Sequence, residues 1–250
     1  MTKTALITGA TSGIGEATAY EFAKQGIHLI LCGRRVERLH TIEEALKKLT
    51  VVHTLNFDVR NKQQTFEAIA SLPENFKNID ILVNNAGNAH GLDPIHEGDI
   101  DDWDTMIDIN VKGLLYVSKA IIPQMTERHS GHIINIGSSA GKEVYPKGNV
   151  YCATKHAVLA ITKGMRLDLN PYGIKVTAIN PGMVKTEFSQ VRFKGDPISD
   201  SVYKGFKALE AKDVADIIYF AVSRPAHVNI ADLLVYPTAQ SNSTTVLKEQ

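Results

Sequence analysis

Short apolar runs rich in β-branched residues alternate along this chain with longer stretches in which apolar positions recur every three to four residues. The short runs fall at residues 4–8, 28–32, 51–56, 79–84, 132–137, 175–180 and 233–236. Several, such as Ile79-Asp80-Ile81-Leu82-Val83-Asn84 and His132-Ile133-Ile134-Asn135-Ile136-Gly137, are apolar almost throughout. A strand reads that way when both faces of its sheet are covered. The three-to-four periodicity predicts helices over 15–25, 35–49, 101–128, 150–170 and 211–223. Strand and helix alternating through the whole length predict an α/β fold, a doubly wound parallel sheet with helices on both faces. No repeat, low-complexity tract or linker divides the chain, and 1–250 reads as a single domain. Such sheets bind ligands beyond the carboxyl ends of their strands, which is where chemistry is to be sought.

Charge narrows the classes. There are 27 basic and 27 acidic side chains and no net charge, whereas a nucleic-acid binder carries a basic excess. Charged residues make up 22% and hydrophobic ones 44%, a globular composition. No apolar run approaches the ~18 residues that span a bilayer, and the amino terminus lacks the pattern of a secretory signal. Cys32 and Cys152 make neither a disulfide framework nor a metal site. These features predict a cytoplasmic protein that acts on a small molecule, with no nucleic-acid or membrane partner and no metal.

The first run leads straight into Gly9-Ala10-Thr11-Ser12-Gly13-Ile14-Gly15 and then a helix. Glycines let the backbone approach a pyrophosphate, and the helix start offers free N–H groups and the positive end of a dipole. The spacing is G-x-x-x-G-x-G, and no G-K-[ST] follows, so this is not a Walker loop. NAD binders place an acid ~20 residues later for the ribose 2′-hydroxyl. Here the second run ends Gly33-Arg34-Arg35. Two guanidiniums at that position suit a 2′-phosphate and favour NADP, or else they cap a surface helix. Asp58-Val59 after the third run are candidates for the adenine, with Asp58 accepting from its amino group or capping the next helix. Asn85-Ala86-Gly87 after the fourth run suit the adenosine ribose, or form a turn held by asparagine.

Tyr151 and Lys155 lie four residues apart, on one face of a predicted helix. Tyr20/Lys24 and Tyr203/Lys207 share that spacing, so context must decide. Only Tyr151 follows a strand tip bearing a hydroxyl, Ser138, thirteen residues earlier. An alcohol dehydrogenase needs a base for the hydroxyl proton. A nearby ammonium favours phenolate over phenol, and Ser138 can hold the substrate oxygen. Tyr20 reads as a helix side chain and Tyr203 as part of a lid.

Together, the glycine loop after a strand, Asn84-Asn85-Ala86-Gly87, Ser138, Tyr151, Lys155 and Pro181-Gly182 resemble the short-chain dehydrogenase/reductase family in kind, order and spacing. The resemblance implies a Rossmann fold of about seven parallel strands and a homotetramer. It also implies a Ser138/Tyr151/Lys155 site assisted by Asn110, which positions the lysine through a water, and contacts from Pro181, Gly182, Val184 and Thr186 to the nicotinamide end. Segments around Phe188-Ser189, 191–196, 148–151 and 225–230 are similar to the NADP-dependent 3-hydroxy acid dehydrogenases, which act on L-serine and L-allo-threonine. Departures at Lys142-Glu143 and Lys147, expected to flank the pocket, bear on substrate preference. Residues 183–206 read as a lid. A 3-hydroxy acid carries a carboxylate, for which Arg192, Lys194 or Lys147 could supply the cation. Rival readings are a 3-ketoacyl thioester or ketone reductase on the same chemistry, and a non-catalytic NADP-binding regulator.

Overall fold

The computed structural model describes residues 2–248. Seven parallel strands form one sheet: β1 (Thr4–Thr8), β2 (His28–Gly33), β3 (Val52–Asn56), β4 (Ile81–Asn84), β5 (His132–Ile136), β6 (Lys175–Pro181) and, last in the chain, Asp232–Val235. Their spatial order is β3-β2-β1-β4-β5-β6 and then the last strand, so connections reverse direction beside β1. That reversal opens a crevice above the carboxyl ends of β1 and β4. β1, β4 and β5 are buried at every position, as their unbroken apolar runs require.

Alternate side chains of each strand feed two cores. Ala5 and Ile7 of β1 join Phe22 of α1 (Gly13–Lys24) and Leu39 and Ile42 of α2 (Val36–Leu46) on one face. Leu6, between them, joins the other face. There it meets Ile69 of α3 (Lys62–Ala70) and Val117 and Ile121 of α5 (Leu114–Glu127). α6 (Asn149–Leu169) also covers this second face, and α9 (Ala211–Val222) packs beside α1 on the first.

The helix expected over 101–128 is two helices. α4 (Ile100–Ile107) and α5 are joined by a wider π-type turn, Asp108–Gly113, which holds Asn110. Such insertions widen the hydrogen-bond ladder without interrupting the rod, so apolar periodicity alone does not expose them. α3 was not expected from the pattern. The lid carries a two-residue strand, β7 (Val184–Lys185), and two short helices, α7 (Phe188–Arg192) and α8 (Ile198–Ser201). β7 pairs in parallel with β8 (Leu209–Glu210), which clasps the base of the lid; the strand Asp232–Val235 is β9. No helix among the described residues is long and apolar enough to cross a membrane.

Candidate active site

β1 ends in a loop whose backbone only glycine accepts easily. Gly9 has φ +64°, and a Cβ there would lie 2.9 Å from Asn85 Nδ2. Gly15 starts the helix against that same loop, where a Cβ would meet the Gly9 carbonyl oxygen at 2.4 Å. Asn85 fastens the loop after β4 to the one after β1, its Nδ2 donating to the carbonyls of Thr8 (2.9 Å) and Gly9 (3.2 Å). The Thr8 hydroxyl accepts from the backbone N–H groups of Asn85 and Ala86. Ser12 occupies the N-cap position of α1 but its side chain caps nothing. The first N–H groups of α1 therefore have no side-chain cap, the condition under which a helix start can receive an anion.

Four cations and two carboxylates gather beyond β2 and β3. Arg35 stands at the N-cap position of α2, yet its side chain does not cap that helix. It donates instead from Nε to Thr11 Oγ1 (3.1 Å) and from Nη2 to Ser12 Oγ (2.7 Å), bracing the glycine loop. Arg34 lies 3.5 Å from Asp58. Asp58 does not cap α3, whose cap is Asn61; it accepts from Arg60 Nη2 at 2.7 Å. Burial works against the Asp58 carboxylate, but the hydrogen bonds and charge of Arg60 hold its pKa below the ordinary value. Arg38, one turn beyond Arg35, and Glu187 from the lid complete the cluster, with Glu187 bonded to both Arg35 and Arg38.

At the other end Ser138 follows β5 and accepts from the N–H of Ala140 at 3.1 Å. Tyr151 sits in the first turn of α6 and lines the same cavity as Ser138. Lys155, one turn on, donates from Nζ to the Ile136 carbonyl (3.0 Å), and Nζ lies 6.0 Å from the Tyr151 ring centroid. Burial lowers the Lys155 pKa to about 8. Burial also pushes the Tyr151 phenol well above its ordinary value, against the smaller opposing effects of Ser138 and Arg192. In this arrangement desolvation outweighs the hydroxyl and the guanidinium, which favours the phenol as the resting form of Tyr151. Asn110 accepts from the N–H of Asn88 (2.9 Å) and donates to the Asn88 carbonyl (2.8 Å) and to Thr154 Oγ1 (3.0 Å). It thus ties the loop after β4 to α6 next to Lys155. Gly87 lies between them: a Cβ there would be 3.0 Å from Asn110 Oδ1 and 3.5 Å from Lys155 Nζ.

One cavity of about 340 Å³ joins the two ends. Gly9, Thr11, Ser12, Gly13, Ile14, Arg34, Arg35, Asp58, Val59, Asn85, Ala86, Gly87, Ser138, Tyr151, Lys155, Pro181, Gly182, Val184 and Thr186 all line it. Of the residues singled out from sequence, Gly15 and Asn110 stand behind its wall. Arg192 lies beside the cavity, its guanidinium 5.6 Å from the Tyr151 ring centroid, donating to Gly91 O (3.0 Å) and Tyr145 Oη (2.9 Å). Lys194 is turned to the surface, 3.0 Å from Asp102, and is not a cation of this site. Lys142 pairs with Asp232 at 2.8 Å and Glu143 accepts from the Ser243 N–H, so these two brace the carboxyl-terminal segment and do not line the cavity. Lys147 borders a small adjoining recess with Arg192. Tyr20 packs against the first core, and Tyr203 Oη bonds Ser189 and the Val184 carbonyl within the lid. Sequence reasoning missed Arg38, Glu187 and Tyr145. Arg38 was within reach, being one helical turn from Arg35, whereas the other two join the site only through the lid.

Residues 3–196 match the short chain dehydrogenase family. The chain is 48% identical over 238 residues to the NADP-dependent 3-hydroxy acid dehydrogenase YdfG of Escherichia coli O6:H1, covering 94% of this chain and 95% of that one. It is 45% identical over 243 residues to sulfoacetaldehyde reductase 2 of Chromohalobacter salexigens, covering 96% of each. Among solved structures, the closed form of serine dehydrogenase complexed with NADP+ superposes with a TM-score of 0.93 at 45% identity, over 99% of this chain and 100% of the other.

Proposed function

The chain belongs to the short chain dehydrogenase family, and on that premise we propose that it is an NADP-dependent oxidoreductase of small 3-hydroxy acids. It interconverts an acid such as L-serine or L-allo-threonine with the matching 3-oxo acid or semialdehyde. The observation that carries this reading is the single cavity with guanidiniums at one end and Ser138 and Tyr151 at the other. NADP suits the residues present. Gly9 and Gly13 leave space that a side chain would fill, since a Cβ on Gly13 would stand 3.2 Å from Thr186. The end of β2 and the first turn of α2 offer Arg34, Arg35 and Arg38 to a 2′-phosphate, and no carboxylate stands between Gly33 and Val36 to meet a 2′-hydroxyl.

When bound, the nicotinamide supplies the hydride chemistry; the protein supplies place and proton. Ser138 and Tyr151 hold the substrate oxygen between two hydroxyls. In reduction the Tyr151 phenol, kept protonated by burial, gives its proton to that oxygen as carbon gains the hydride. In oxidation the proton returns. Lys155 spends one N–H on Ile136 and lines the cavity with the others, placing a positive charge under the tyrosine. Asn110 is a positioning residue, holding the Asn88 backbone and Thr154 so that Lys155 stands where it does. Arg192, with N–H groups left over after Gly91 and Tyr145, is the cation for the substrate carboxylate. The same guanidinium would accept the sulfonate that the name of the Chromohalobacter relative implies.

The reading includes a cytoplasmic homotetramer. Free, buried Cys32 and Cys152 suit a reducing compartment. Leu115 on α5 and Leu167 on α6, 40% and 77% exposed, suit faces covered by further copies, which light scattering tests. The activity is tested by following NADPH formation with L-serine, L-allo-threonine, 3-hydroxyisobutyrate and 3-hydroxypropionate, and NADPH loss with sulfoacetaldehyde. Turnover with one or more 3-hydroxy acids is expected. Preference for sulfoacetaldehyde would move the assignment to sulfonates, and no turnover on any alcohol or carbonyl would leave a cofactor-binding regulator.

A further inference from the structure

At the adenosine end each guanidinium already has an anion. Arg34 is 3.5 Å from Asp58, Arg35 Nη1 is 2.9 Å from Glu187 Oε2, and Arg38 Nη1 is 2.5 Å from Glu187 Oε1. The remaining contacts of Arg35 go to Thr11 and Ser12, so Nη1 is the part of it that faces a ligand. Burial disfavours the Glu187 carboxylate, but hydrogen bonds from both arginines outweigh it and hold its pKa below the ordinary value. It is ionised at neutral pH. Glu16, in the first turn of α1, adds negative charge beside the same group. A phosphate dianion seated on Arg35 and Arg38 would face the Glu187 carboxylate across shared donors, and like charges so placed repel.

Glu187 is also distant in sequence from both partners, 152 residues from Arg35 and 149 from Arg38. It stands immediately before α7, and five residues later Arg192 closes that helix with its guanidinium over Tyr151. One short helix thus has a carboxylate on the phosphate site and a cation on the substrate site.

We propose that Glu187 is an internal competitor for the cofactor's 2′-phosphate: it holds Arg35 and Arg38 until a 2′-phosphate displaces it, and its release frees the amino end of α7. The proposal rests on the NADP reading above and adds to it a reason why the lid responds to the phosphate. A 2′-hydroxyl carries no charge with which to displace a carboxylate. NAD+ would therefore leave Glu187 in place, and the discrimination between the two cofactors would include the lid as well as the arginines.

Calorimetry with 2′-AMP, 5′-AMP and NADP+ on the full chain and on Glu187→Gln and Glu187→Ala tests it without turnover. Two partly exposed ion pairs predict that both variants bind 2′-AMP and NADP+ about fivefold more tightly than wild type. Binding of 5′-AMP should be unchanged. In wild type, 2′-AMP should quicken tryptic cleavage at Lys185, Lys194 and Lys204, and 5′-AMP should not. If wild type prefers 2′-AMP to 5′-AMP but neither variant binds 2′-AMP more tightly, Glu187 is not a competitor and the NADP reading survives. Cleavage unaffected by 2′-AMP overturns the release of α7. A wild type indifferent to the 2′-phosphate overturns both the competitor and the NADP assignment.

Discussion

Burial moves the two titratable side chains of the reacting end apart, Tyr151 upward and Lys155 down to about 8. The phenol stays protonated across the neutral range while the ammonium loses its proton within it. With Tyr151 as the acid, carbonyl reduction should hold a steady kcat below pH about 8 and decline above it as the charge under the tyrosine disappears. A pH profile of kcat checks this, and a decline beginning only near pH 10 would detach Lys155 from the step. His132 shows the same physics without the chemistry. Its Nε2 lies 2.8 Å from Thr177 Oγ1, which itself donates to the Ile230 carbonyl, so Nε2 carries the proton and buried Nδ1 has no partner. Desolvation lowers its pKa from 6.5 to about 3. Between those values the unfolded chain binds a proton that the folded chain refuses, so stability falls as pH drops below 6.5. At pH 5 the loss is about 2 kcal/mol. Urea unfolding at pH 7 and pH 5 should show this loss in wild type and a smaller one in His132→Phe. Equal losses would place the acid sensitivity elsewhere.

Elements whose role is to fill the sheet could be read from the sequence, because burial on both faces leaves an unbroken apolar run. The seven strands were found that way, each within two residues of its observed ends. α3 escaped because its sequence, KQQTFEAIA, buries only Thr65 and Ile69 and offers no stripe. β7 and β8, two residues each, are too short to show any period. The π-type turn escaped for a different reason: its extra residue widens the ladder while the flanking helices keep their own apolar faces. It matters because Asn110 lies inside it, bonded to both polar groups of the Asn88 backbone. Asn110→Leu should strip those partners, lowering stability by about 2 kcal/mol in urea unfolding. It should also lower kcat far more than it raises KM for NADP+, since Asn110 does not line the cavity. The reverse split would mean that it acts on cofactor binding. The glycine loop, Ser138, Tyr151 and Lys155 were legible because their chemistry sits at strand ends and helix starts. Glu187 and Tyr145 were not, because what makes them part of the site is a lid contact between segments remote in sequence.

Across the whole molecule, the site is built from the carboxyl ends of β1 to β6, so its geometry depends on the register of the whole sheet. The strand order has a consequence for the protein while it is still being made. Of the seven strands β1 leaves the ribosome first, and β2 and β3 extend the sheet to one side; β4 then adds to the free side of β1, and β5, β6 and β9 each add beside the strand just laid down. No strand has to force its way between two others, and the growing sheet always offers the newcomer an open edge. The last such edge is β6, buried from Val176 to Pro181 in the finished protein, where Asn180 waits for Asp232 and Leu233. A nascent chain stalled before residue 232 would present that apolar edge to whatever strand came next, including one from a neighbouring polysome.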